Sequence, residues 1–167
     1  MTGETGKFYF GTSALDTDTF FTCGFASPSN GQIMKYISGI ESVKLDVSGY
    51  IFNGIKMRGV DGYAIAYDSA AIEGSIIRRI YRSTNSGESW IMVLEQTDQL
   101  NYYHRIIIID DDMAYILGND CLLKTIDSGA TWNAIDIAPT MPLSDAVFVS
   151  NNTVNPPEEN SNVDFRC

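Results

Sequence analysis

The sequence predicts an all-β chain assembled from four-stranded antiparallel units, and three observations carry that prediction. Two octapeptides, Ser83 to Trp90 (STNSGESW) and Thr125 to Trp132 (TIDSGATW), match position by position and lie 42 residues apart. Around each of them, short β-branched and aromatic runs alternate with Gly, Asn and Asp turns, four runs to a unit. No stretch shows convincing helical periodicity. A polar hairpin repeated every 40 to 45 residues or so, with four strands per repeat, is the pattern of one propeller blade. The expected fold is all-β and β-propeller-type, with about three four-stranded blades plus the start of a fourth.

The third unit is the easiest to read. Arg105 to Asp110 (RIIIID) is a strand, Asp110, Asp111 and Asp112 form a turn, and Met113 to Leu117 is the returning strand. Gly118-Asn119-Asp120 turns again, Cys121 to Thr125 is the third strand, Asp127-Ser128-Gly129 turns, and Thr131 to Ile137 is the fourth. The second unit repeats this order with Tyr50 to Met57, Gly62 to Tyr67, Ser75 to Arg82 and Ser89 to Leu94, and with a longer loop at Asp68 to Gly74. A first, fainter unit uses Lys7 to Phe10, Phe20 to Phe25, Gln32 to Ile37 and Ser42 to Val47, and lacks the octapeptide. Asp145 to Val149 reads as the first strand of a fourth. The expected blades are therefore about 7–48, 50–97 and 103–137, with a partial one at 143–150, followed by a polar tail at 151–167 whose Pro156-Pro157-Glu158-Glu159 run buries no face.

Composition narrows the function classes. The chain has 167 residues, 44% of them hydrophobic, enough for a real core. Eleven Lys and Arg against 21 Asp and Glu give a formal charge of −10, which repels phosphate backbones and anionic lipid, so nucleic acid is not an expected partner. No apolar run approaches the length that spans a bilayer, and membrane insertion is not expected. The first residues, MTGETGKFYF, lack the basic start and apolar stretch of a secretory signal. Cys23, Cys121 and Cys167 form no CxxC pair and His104 is the sole histidine, so neither a metal site nor a cofactor is expected. The sequon Asn151-Asn152-Thr153 has meaning only in a secreted precursor.

The octapeptides solve a turn problem. Gly87 and Gly129 supply positive φ, Asn85 and Asp127 hydrogen-bond the backbone of their own hairpin, and the hydroxyls of Ser83, Ser89, Thr125 and Thr131 satisfy further amides. Trp90 and Trp132 then cover the hairpin and pack between strands. The pattern Ser/Thr-x-Asp-x-Gly-x-Thr/Ser-Trp resembles the Asp-box, or BNR repeat, of sialidases and related β-propellers; Thr125 to Trp132 fits it fully, and Ser83 to Trp90 carries Asn85 in the Asp position. The stretch MAYILGNDCLLKTIDSGATW also looks like repeats of photosystem II assembly factor-like propellers of the Ycf48 type. The resemblance covers about residues 50 to 137, and only the box is specific. It implies that the boxes lie at the blade periphery, away from the central cleft, as structural residues.

Sialidase chemistry is not implied. The Arg-Ile-Pro segment of that family does not occur, and Arg105 is followed by Ile106 and Ile107. Arg58, Arg78, Arg79, Arg82, Arg105 and Arg166 match no substrate-gripping set, so no catalytic residue is transferred. Asp110, Asp111 and Asp112 read as an acidic turn in preference to a calcium site, since the EF-hand pattern is absent. Cys121 reads as a small buried hydrophobe and Cys167 as exposed. Most aromatics are expected to fill space between blades; Tyr102 and Tyr103, in the polar context DQLNYYHR, are expected to be exposed and, with His104, to form a possible binding surface.

Three functional expectations remain open on the sequence alone. The first is a non-catalytic propeller module binding a protein or carbohydrate partner on loops such as Asp68 to Gly74 and Gln96 to His104. The second is a fragment or degenerate member of a sialidase-like glycoside hydrolase, which needs paired acids across a cleft. The third is an assembly-factor-like scaffold. Three and a half blades leave sheet faces open, so self-association or membership of a larger propeller is also expected.

Overall fold

The computed structural model describes residues 6–26, 29–70, 75–98, 102–119, 121–135, 147–148 and 163–164. The first sheet holds β1 (Lys7–Ala14), β2 (Thr19–Ala26), β3 (Asn30–Ile37) and β4 (Ile40–Ser48). The second holds β5 (Tyr50–Arg58), β6 (Asp61–Asp68), β7 (Ile76–Ser83) and β8 (Ile91–Asp98). The third holds β9 (Tyr103–Ile108), β10 (Ala114–Gly118), β11 (Leu122–Thr125) and β12 (Asn133–Ile135). Each is an antiparallel meander whose spatial order is its chain order. Two short strands, β13 (Val147–Phe148) and β14 (Val163–Asp164), pair antiparallel, so that Phe148 of the expected fourth-blade strand lies opposite Val163 of the segment expected to be a tail. Described residues include no helix.

The sheets stack face to face. Phe21, Cys23 and Ile33 of the first meet Phe52, Ala64, Ala66 and Tyr81 of the second in one core cluster, joined by Trp90. Tyr63, Ile65 and Ile80 on the other face of the second meet Tyr103, Ile106, Ile116 and Leu123 of the third in another, with Trp132 packed against it. This is why the central strands read as nearly continuous apolar runs: Ala64, Ile65 and Ala66 serve both interfaces, and a strand covered on both sides has no solvent face.

Ladder register shows how closely the sheets repeat. In the first, pairing passes from Tyr9↔Gly24 to Gly11↔Cys23 and skips Phe10. In the second it passes from Phe52↔Ala66 to Gly54↔Ile65 and skips Asn53. In the third it passes from Tyr103↔Gly118 to Arg105↔Leu117 and skips His104. Each first strand therefore carries one extra residue at an equivalent place, a β-bulge that re-aims one side chain. Tyr9, Phe52 and Tyr103 are also equivalent, immediately before the bulge. Phe52 and Tyr103 are 0% and 2% exposed, each covered by the preceding sheet, whereas Tyr9 is 42% exposed because no described sheet lies on that face.

Several boundaries differ from the sequence expectation. β1 continues past Phe10 to Ala14, because the bulge lets the ladder resume. β8 and β12 begin after Trp90 and Trp132, so both tryptophans end their turns and do not start strands. The loop expected at Gln96 to His104 is shorter, since β8 runs to Asp98 and β9 begins at Tyr103. Cys121 precedes β11 and is half-buried, not a core residue; the Arg78 Nη1 donates to its Sγ at 3.6 Å. Residues 71–74 of the Asp68 to Gly74 loop, the sequon, Arg166 and Cys167 lie outside the described residues.

Candidate functional site

The octapeptide turns are wired alike. The Thr125 hydroxyl accepts from the Gly129 N–H at 2.8 Å and donates to Asp127 Oδ1 at 2.8 Å. The Thr131 N–H and hydroxyl donate to Asp127 Oδ1 at 2.9 Å and Oδ2 at 2.6 Å. In the other turn, the Ser83 hydroxyl accepts from the Gly87 N–H at 3.0 Å and donates to Asn85 Oδ1 at 3.0 Å. There the Ser89 N–H donates to Asn85 Oδ1 at 3.0 Å, but the side-chain bond is reversed: Asn85 Nδ2 donates to Ser89 Oγ at 2.9 Å. An amide carries its own donor, so Asn fits the Asp position by turning one hydroxyl round. The Thr131 bonds, with those of Thr125, hold the Asp127 carboxyl well below its ordinary value, at about 2.

Both turns hold a Ser-Gly pair in the left-handed backbone region. Ser86 and Ser128 have φ of 56° and 58°, and Gly87 and Gly129 have 73° and 83°. Ser86 N–H donates to the Val60 carbonyl at 2.8 Å, and Ser128 N–H to that of Asp112 at 2.9 Å, tying each turn to the opposite hairpin of its own sheet. The first sheet, which lacks the octapeptide, keeps the same device in two residues: Ser38 and Gly39 have φ of 49° and 82°, and Ser38 N–H donates to the Asp18 carbonyl at 2.9 Å. Between sheets, buried Lys35 donates to the Ser86 carbonyl at 2.8 Å and pairs with Glu88, which Lys44 also reaches at 2.7 Å. Lys35 and then Lys44 hold the Glu88 carboxyl down at about 2.

A groove of about 340 Å³ runs across the three first strands. β1 supplies Phe10 to Thr12, β5 supplies Asn53 to Lys56, and β9 supplies His104 to Ile106. The bulged residues Phe10, Asn53 and His104 thus converge on one feature. Gly11 makes the close approach possible: a Cβ there would lie 2.8 Å from Cys23 Sγ and 3.2 Å from the Gly54 Cα. Asn53 Nδ2 donates to the Tyr103 carbonyl, bridging β5 and β9. Asn53 Oδ1 and both His104 ring nitrogens are buried without a hydrogen-bond partner among the described residues.

Residues expected to form one binding surface are divided by the pleat of a single strand. Tyr102 stacks edge-on against Tyr67 with centroids 5.0 Å apart. Tyr103 is not exposed: its ring lies in the core under the Arg78 guanidinium at 4.4 Å, and its hydroxyl donates to Gln96 Oε1 at 2.7 Å. His104 alone reaches the groove. Phe10, Asn53 and Lys56 were missed by the sequence reading. Their signal is a glycine after the fourth residue of a strand, in Lys-Phe-Tyr-Phe-Gly11 and Tyr-Ile-Phe-Asn-Gly54, since glycine inside a strand marks a bulge or a close backbone approach.

The acidic turn is accounted for locally. Asp110 Oδ1 accepts from the N–H groups of Asp112 and Met113 at 3.0 and 2.7 Å, as Asp16 Oδ1 does from Asp18 and Thr19 at 2.8 and 2.7 Å. Asp111 pairs with Arg58 at 3.0 Å, and Asp112 accepts from the Ser128 hydroxyl at 2.7 Å. Among the described residues, no three His, Cys, Asp or Glu side chains gather as metal ligands, and no helix is long and apolar enough to cross a membrane.

No protein-family model matches the chain. A vacuolar protein sorting/targeting protein 10 from Fusarium vanettenii is 27% identical over 111 residues, which cover 64% of this chain and 7% of that protein. Among solved structures, YCF48 bound to D1 peptide is similar at a TM-score of 0.60 and 20% identity, over 78% of this chain and 40% of that one. YCF48 from Cyanidioschyzon merolae gives 0.56 and 15%, over 79% and 38%, and the GH74 enzyme of Niastella koreensis gives 0.53 and 12%, over 86% and 25%. The likeness, with three four-stranded meanders packed in series, establishes a β-propeller-type fold. The chain spans less than half the length of each of these solved relatives and a small part of the sorting protein.

Proposed function

We propose that the chain is a non-catalytic propeller-type binding module for a protein partner, engaged at the groove of the three first strands. The observation that carries this reading is the convergence of Phe10, Asn53 and His104 on one groove from equivalent bulges, with no Asp or Glu among the ten lining residues. Glycoside hydrolysis of the usual kind needs two carboxylates facing a cleft, so the sialidase-like alternative draws no support from this lining. The assembly-scaffold alternative makes the same prediction of binding without turnover and differs only in partner.

In this reading the octapeptides are Asp-boxes with a structural task. The side chains of Ser83, Asn85, Ser89, Thr125, Asp127 and Thr131 bond within their own turns, Glu88 and Ser128 tie the turns to Lys35, Lys44 and Asp112, and Trp90 and Trp132 belong to the packing between sheets. The four-strand units are its blades, and carbohydrate is the secondary ligand class. Selection from a random peptide library tests the reading: selected peptides should bind the wild type, and Phe10→Ser should abolish binding with folding intact. Hydrolysis of a glycoside that Phe10→Ser removes, or selected peptides that bind Phe10→Ser unchanged, would overturn it.

A further inference from the structure

The first sheet has one face that the repeat leaves open. Phe52 and Tyr103 stand before their bulges under the preceding sheet, while Tyr9, in the same place, is exposed. A Cβ on Gly87 or Gly129 would strike a ring of the sheet before, whereas a Cβ on Gly39, in the equivalent turn, meets nothing within 4 Å. Ile37 and Ile40, on either side of that turn, are 46% and 75% exposed. The joint made twice between sheets thus has a third half with nothing seated on it.

Strand pairing assigns the residues of this face. Phe20 lies opposite Ala14 and Tyr36, Thr22 opposite Thr12 and Met34, Tyr9 opposite Gly24, and Val43 opposite Met34, so their side chains share one side of the sheet. Phe20 stacks on Tyr36 with ring centroids 4.6 Å apart, and the Tyr36 and Tyr9 hydroxyls lie 3.2 Å apart. Phe20 and Val43 are 41% and 50% exposed. The β4 carboxylates on this side are engaged: Glu41 pairs with Lys7 at 3.1 Å, and Asp46 accepts from Gln32 Nε2 at 2.7 Å. The patch is aromatic in the middle, with its carboxylates partnered along one edge.

We propose that this face docks a second copy of the chain, first sheet against first sheet about a twofold axis. On the far side of the third sheet Tyr115, Leu117 and Leu122 are buried, so the three four-stranded sheets leave a single open face per chain. One open face limits self-association to an isologous pair, in which each copy covers Tyr9, Phe20 and Val43 of the other. Strands about 4.8 Å apart and eight residues long, at about 3.3 Å per residue, make a four-strand face of about 500 Å². Two such faces bury about 1,000 Å², the lower limit for a specific interface, so the pair is weak and concentration-dependent. The surface is separate from the groove, since Phe10 stacks on Phe25, which shares the opposite side of the sheet with Phe21 and Cys23.

Sedimentation equilibrium of the wild-type chain from about 1 μM to about 1 mM should pass from the mass of one chain to twice that mass and stop there. Added salt should favour the pair, because it screens the −10 carried by each copy and leaves the apolar contact intact. Val43→Asp sets like charges against each other in the contact and should weaken pairing at least about tenfold, while Val60→Asp, the same exposed change in the second sheet, should leave it unaltered. In the wild type, amide shifts that move with protein concentration should fall in residues 9–14, 20–24, 32–36 and 41–46, which needs no variant. A chain that stays single at the top concentration, growth beyond two copies, or shifts confined to the second and third sheets would overturn the proposal. Pairing that salt weakens would overturn it too, since the contact would then be ionic. If the chain stays single and library peptides shift these residues, the face belongs to a peptide and the pair is lost.

Discussion

Gly87 lies flat against the ring of Phe21, so that a Cβ on Gly87 would come within 2.3 Å of the Phe21 Cε1. The same contact recurs one sheet later, where a Cβ on Gly129 would come within 2.8 Å of the Tyr63 Cε1. Phe21 and Tyr63 hold equivalent places in their sheets, one strand position from Thr22 and Ala64. Each octapeptide glycine thus serves twice, as the residue able to hold φ of 73° or 83° and as the thin spot where one sheet meets the last.

Gly87→Ala should therefore destabilise by about 2 to 4 kcal/mol, combining the left-handed backbone with overpacking against a fully buried ring. Chemical denaturation measures it. Phe21→Leu in the same chain should restore part of the loss, since the two changes meet at one contact; strict additivity would mean that contact is not the cause.

Trp90→Ala should cost about 3 to 5 kcal/mol, because Trp90 is buried in the cluster between the first two sheets. Half-buried Trp132, edge-on to Tyr63 at 5.5 Å, should cost less, about 2 kcal/mol. An unchanged unfolding curve for either variant would remove its packing role.

Acid should loosen the octapeptide turns in a defined window. Asp127 and Glu88 have folded values of about 2 against ordinary values of 3.8 and 4.5, so the charged forms are favoured by folding. Their stabilisation is fully present above the ordinary values and lost as pH falls from there through about 2. Asp127→Asn keeps the wiring seen at Asn85 and removes one titrating group, so melting temperature between pH 2 and pH 5 should vary less steeply in the variant. An identical acid limb would show that Asp127 is not coupled to folding.

Thiol labelling should separate the two described cysteines. Burial pushes the Cys23 thiol up to about 12, and it has no exposed surface. Half-buried Cys121 should react with iodoacetamide in the native protein at pH 8, and Cys23 only after unfolding. Mass mapping of labelled peptides reads the order directly.

The β5 to β7 and β9 to β11 strands were legible because their β-branched residues fall between glycine and aspartate turns. The groove was not. A bulge adds one residue and leaves composition untouched, yet it moves each following side chain to the other face. Tyr103 illustrates the cost: a polar neighbourhood in sequence suggested exposure, while its place before the bulge puts it under the second sheet, where Phe52 sits under the first. Only laying Phe10-Gly11 and Asn53-Gly54 over each other, with His104-Arg105 as the third member, reveals the shared position.

The glycine contacts also give the stack a direction. Gly87 rests on a ring made earlier in the chain, as does Gly129, and the Lys35 amine reaches forward to hold Ser86 and Glu88. A ribosome makes the ring first and the glycine afterwards, so each emerging turn meets a seat already built. Loss of the third sheet would leave the Phe21 seat and its turn undisturbed, whereas loss of the first would strip the Gly87 turn of its footing.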